Sequence, residues 1–164
     1  MADDGSSFWN FSLQFYARPQ VAAACLELQD DAGADVNVLL YLLFLARHNR
    51  QVGRGDVARI DGAVSSWRDE VVRPLRTLRR RLKNGVATID AAASAALRTQ
   101  VKSIELESER IEQHTLERDA PASTTGAPAA SRAAAARANL AAYGELLGGL
   151  PAAPVNVLLE ACAD

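Results

Sequence analysis

Four cations stand in steps of three, four and three residues: Arg73, Arg76, Arg80 and Lys83. On a helix that spacing places all four on one face. A ladder of guanidinium groups suits oxyanions, because each Arg offers paired hydrogen bonds to a carboxylate or phosphate. The surrounding segment, WRDEVVRPLRTLRRRLK, carries seven Lys or Arg against two Asp or Glu between Arg68 and Lys83. One reading makes this face a binding surface for a partner protein with an acidic surface. The other makes it a solvated face, or a mate for the chain's own acidic stretch. That stretch holds Glu105, Glu107, Glu109, Glu112, Glu117 and Asp119 against Arg110 and Arg118. RNA fits the arginines less well, since no aromatic is interleaved with them and no RNA-binding module is visible.

A second cluster, LQDDAGAD, holds Asp30, Asp31 and Asp35. Aspartates four apart can hold Mg²⁺ and a diphosphate when they project into a helical cavity, as in the isoprenoid synthases. Here Gly33 falls between them, which favours a junction between two helices, and capping or turn formation explains the carboxylates. The cluster supports an alternative reading: a small helical enzyme or ligand-binding protein using a divalent metal and a phosphate-containing ligand. The Glu-rich ELESERIEQH resembles the helices of carboxylate-bridged di-iron bundles, which need Glu-x-x-His on two helices. Three residues before His114 stands Ile111, and three before His48 stands Leu45. The motif is missing in both places. No Ser-His-Asp or Cys-His arrangement and no Gly-rich phosphate loop can be argued from spacing. No catalytic residue and no cofactor is therefore assigned; the residues lean toward a non-enzymatic protein, with the small helical enzyme kept as the alternative.

The elements that must carry these residues are helices. Ser7 is placed to cap a first helix over 8–17, in which Phe8, Phe11 and Phe15 recur at helical spacing. Pro19 suits the first turn of a second helix, ending near Gly33. The word Val-Asn-Val-Leu-Leu then appears at 36–40 and again at 155–159. Asp35 before the first copy and Pro154 at the second mark two helix starts, so each Asn falls in a first turn, where backbone N–H groups lack helical partners. The first copy runs on as YLLFLA, apolar on all sides, as a central helix should be. After a polar loop, Val57, Ile60, Val64, Trp67, Val71, Leu75, Leu78 and Leu82 make one seam, with a kink or break expected at Pro74. Beyond Asn84-Gly85 a long helix over 89–118 carries a seam at Leu97, Val101, Ile104, Ser108 and Ile111. Two seams joined by a short turn predict an antiparallel hairpin.

The chain of 164 residues is 49% hydrophobic with a net charge of −2. Its 32 alanines favour close-packed helices. The near-neutral charge gives no whole-molecule attraction to nucleic acid or membrane. The acidic start lacks a secretory signal, the apolar runs are too short to span a bilayer, and Cys25 and Cys162 form no paired motif. Cytoplasmic is the default location, and no oligomeric state follows. The sequence predicts an all-α fold: a helical bundle domain over 7–118, a flexible linker over 119–130 and an Ala-rich helical tail over 131–164.

The segments FWNFSLQFYARPQVAAACLELQDDAGADVNVLLYLLFLA, WRDEVVRPLRTLRRRLK and KSIELESERIEQHTLE resemble, in that order, a bacterial family of uncharacterised proteins. Its marks are a Trp/Phe-rich start, a Cys-Leu-x-Leu-Gln-Asp segment and an Asp-Val-Asn helix. The resemblance covers residues 8–118 and implies a small cytoplasmic all-helical protein of unknown function, with no catalytic residues to carry over. Together these features predict an interaction or adaptor protein, with Arg73, Arg76, Arg80 and Lys83 as contacts to an acidic partner.

Overall fold

The computed structural model describes residues 7–163. Among them the chain is all-α apart from one two-residue antiparallel bridge. The described residues form two compact units, one of 7–63 with 113–163 and the other of Val64–Glu112.

The first unit is built around α3 (Val36–Arg47), in which every residue from Asn37 to Ala46 is buried. Asp35 starts it as expected: its carboxylate accepts from the backbone N–H groups of Asn37 and Val38. α1 (Ser7–Tyr16) sets Phe8 edge-on to Tyr41, with ring centroids 4.8 Å apart, and Phe11 against Phe44. α2 (Val21–Ala32) ends at Gly33, whose φ of 68° lets its N–H return to the Leu28 carbonyl. The two Asn of the repeated word part company. Asn37 is buried and accepts from Gln113, whereas Asn156 is exposed on α8 (Ala152–Ala163).

The two C-terminal helices dock on the first unit. α7 (Arg132–Leu147) lies along α3, and α8 lies on α2 and α7. Asn139 of α7, fully buried, accepts from Val52 N–H at 2.8 Å and donates to the Leu42 and Arg50 carbonyls at 3.0 Å. The Tyr143 hydroxyl accepts from Asp35 N–H at 3.0 Å. Segment 119–130 is likewise held. β1 (Arg50–Gln51) pairs with β2 (Ala127–Pro128), the Arg50 guanidinium donates to the Thr125 and Gly126 carbonyls, and the Tyr41 hydroxyl donates to the Ala120 carbonyl. At Gly126, with φ 69°, a β-carbon would collide with the Gln51 backbone. Proline, serine and glycine favour a flexible linker, but this segment is held by partners more than seventy residues away, which local composition does not report.

The second unit takes the end of α4 (Arg54–Trp67), a π-helical turn (Arg68–Val72), α5 (Arg73–Leu82) and most of α6 (Ala91–Asp119). The irregularity expected at Pro74 takes the form of that π turn. Pro74 has no N–H for the carbonyl four residues back, and the Arg73 N–H reaches the Arg68 carbonyl across a five-residue step. The turn inserts one residue into the helix, which turns the side chains just after it by about one position. The seam continues from Trp67 to Val72, which is 1% exposed, in place of Val71. Leu78, expected inside, is 45% exposed. The seam of α6 also splits: Val101 and Ser108 are buried, while Leu97, Ile104 and Ile111 face outward. Trp67 Nε1 donates to the Ser108 carbonyl at 2.9 Å and ties the two arms of the hairpin together.

Candidate functional site

The extra residue decides what the basic face looks like. After that turn, Arg76 and Arg79 stand on the side of α5 that meets α6, with Leu75 half-buried beside them and Leu78 exposed. Arg76 is 18% exposed; its Nη2 lies 3.1 Å from Glu109 Oε1 and its Nε 3.4 Å from Glu105 Oε1. Arg79 binds both oxygens of Glu105. Glu105 is buried, so both guanidinium groups act on one carboxylate in a setting of lowered dielectric. The hydrogen bond to Glu105 holds the Arg79 cation more firmly than usual, against the opposing effect of partial desolvation.

The stripe expected from spacing alone is thus divided. Arg76 faces the acidic helix, and Arg79, which stood outside the stripe, joins it. Arg73, Arg80 and Lys83 remain exposed. Arg73 pairs with Asp69 at 2.7 Å in a contact about half exposed on both sides, and Arg81 donates to the Gly85 carbonyl at 3.0 Å. An exposed pair of this kind contributes little to stability and exchanges readily for another carboxylate. On α6, Glu107 is engaged by Arg110 through two bonds of 2.7 and 2.8 Å, and the hydrogen bond holds its carboxyl below the usual range.

The aspartates do not converge. Asp35 caps α3, while Asp30 and Asp31 lie exposed on the last turn of α2. Among the described residues, no group of three or more His, Cys, Asp or Glu is arranged to hold a metal ion. Sequence spacing also missed two features of the first unit. One is a cavity of about 620 Å³ lined by Asp56, Arg59, Leu116, Asp119, Thr124 and Thr125. Its walls come together through the β1–β2 bridge, which no local signal announces. The other is a smaller cationic cavity formed by residues far apart in the chain.

Among the described residues, fold and site together define an essentially all-helical protein with a partly neutralised basic helix. The chain belongs to the family described as protein of unknown function (DUF2390), which it matches over residues 7–116. No curated protein and no solved structure is significantly similar to it. No helix among the described residues is long and apolar enough to cross a membrane.

Proposed function

We propose that the protein is a non-enzymatic interaction protein whose α5 receives an acidic protein partner, with Arg73, Arg80 and Lys83 as its contacts. One observation carries the reading. The carboxylates of α6 engage Arg76 and Arg79, whereas Arg73, Arg80 and Arg81 are exposed on α5, a helix with no buried residue, and the exposed Lys83 follows it directly. Arg76 supports the hairpin in this arrangement and is not a contact. An acidic peptide approaching α5 would meet cations already fixed in place by a helix, which favours fast, salt-sensitive association.

The experiment is binding of a labelled glutamate-rich peptide to the full chain, compared with an Arg80→Glu/Lys83→Glu variant. Wild type is expected to bind, more weakly as salt rises, and the variant to lose at least tenfold in affinity with its melting curve unchanged. Equal binding by both proteins would sink the reading. Tighter binding of an unstructured RNA than of the peptide would replace it.

A second reading, a ligand-binding protein, draws support from the 620 Å³ cavity and not from Asp30, Asp31 and Asp35. Mg²⁺-dependent thermal stabilisation would revive the aspartates, because a ligand of the native state raises the melting temperature by mass action.

A further inference from the structure

Arg18, Arg47 and Arg132 come from three separate places in the chain: the α1–α2 connection, the last turn of α3 and the first turn of α7. They line one cavity of about 140 Å³ together with Phe11, Phe15 and Cys162. Three like charges around so small a space repel one another unless something negative lies between them. Among the described residues no carboxylate lines the cavity, and neither Arg47 nor Arg132 makes an ion pair.

Helix ends account for part of this arrangement. The Arg18 guanidinium donates to the Ala161 carbonyl in the last turn of α8, and Arg47 stands in the last turn of α3, where a cation is favourable. Neither explains Arg132, which stands at the N-terminal end of a 16-residue helix, where a cation is unfavourable and an anion is welcome. The floor fixes one of the cations: Arg18 lies over the Phe15 ring at 5.6 Å, and Phe15 stacks on Phe11 with centroids 5.3 Å apart. The Cys162 thiol feels the site. Burial raises it, and the charges of Arg18, Arg47 and Arg132 all pull it back down.

We propose that this cavity binds a phosphate group, held by Arg18, Arg47 and Arg132 and by the first turn of α7. Three guanidinium groups favour a dianion over a monocarboxylate, and the volume admits one tetrahedral oxyanion with few further atoms. The group arrives either as inorganic phosphate or as the end of a phosphomonoester.

The test titrates the full chain with inorganic phosphate and with phenyl phosphate, each against sodium chloride of equal ionic strength, and follows melting temperature and the rate of Cys162 alkylation. Wild type is expected to show a saturable rise in melting temperature and at least a tenfold slower alkylation with one of the two ligands. Stronger binding of phenyl phosphate assigns the site to a phosphomonoester, and equal or stronger binding of inorganic phosphate assigns it to the free ion. An Arg47→Gln/Arg132→Gln variant is expected to lose both effects. Both residues are exposed, so its melting temperature without ligand should stay near that of wild type. Arg132→Gln alone, with an intermediate loss, guards against a folding defect in the pair. The same response in wild type and the double variant would reflect general stabilisation by the salt and overturn the proposal. A response seen only after deletion of Asp164, the residue following Ala163, would overturn it as well.

Discussion

Arg76 Nη2 lies 3.1 Å from Glu109 Oε1, and its Nε shares Glu105 with Arg79. Three charged side chains that sequence spacing assigns to a surface stripe and an acidic face are thus the inner contact between α5 and α6. Arg76→Gln should cost about 2 kcal/mol, and Arg79→Gln a similar amount, because each leaves the buried Glu105 with a single cation. The double variant should lose more than the sum, since Glu105 then has neither. Urea midpoints of the four proteins measure this directly. An additive result would mean that the two guanidinium groups do not share the carboxylate.

The one-residue rotation after the π turn makes an opposite pair of predictions for apolar residues. Leu78→Gln, at a position that the seam pattern assigns to the core, should change stability by less than about 0.5 kcal/mol. Val72→Ala should cost about 2 kcal/mol, the lost methyl groups plus the cavity they leave. Reversed magnitudes would show that the helix runs through Pro74 without the extra residue.

Asn139 makes three hydrogen bonds with no exposure to solvent. Asn139→Ala leaves one backbone donor and two carbonyls without it, and about 3 kcal/mol or more should be lost. Amide exchange at Val52 should speed up most, because its N–H loses its acceptor. Unchanged exchange there would separate Asn139 from the β1–β2 bridge.

Burial pushes the Cys25 thiol from its ordinary 9.0 up to about 12. As pH rises past the unfolded value, the unfolded chain releases a proton that the folded chain keeps. Stability from this group is therefore full below about pH 9 and is lost progressively toward pH 12. Burial and the charge of Glu117 also push Tyr41 upward, so its effect has the same sign. Cys25→Ala should make the decline of stability between pH 9 and 11 shallower by up to about 1.4 kcal/mol per pH unit. Equal slopes would show that the thiol ionises without unfolding. At pH 8 an alkylating reagent should modify Cys162, which is half-buried, well before the buried Cys25.

Much of the fold is legible in local signals. Asp35 with the apolar run after it marks a buried helix, Gly33 marks a stop, and Pro74 marks an irregularity. The form of that irregularity is not legible. A proline inside a helix is compatible with a kink, a break or a wide turn, and only the wide turn moves the later residues by one. The consequence extends to the candidate site, because Arg76 and Arg79 both meet the carboxylates of α6. The anchoring of 119–130 and the convergence of Arg18, Arg47 and Arg132 depend on tertiary contacts alone, and no spacing rule reports them.

The packing of α7 on α3 bears on how this family is delimited. The match stops at residue 116, yet α3, around which the first unit is built, is covered by residues 132–147. The limit of resemblance therefore cuts through a folding unit. A fragment trimmed to 7–116 would keep α1 and α2 but expose the apolar side of α3 that α7 covers, and should come out of cells as aggregate, not as a minimal domain. A chain carrying only the span 7–116 would have to shield that side of the helix by other means, with an unrelated segment of its own or with a second protein.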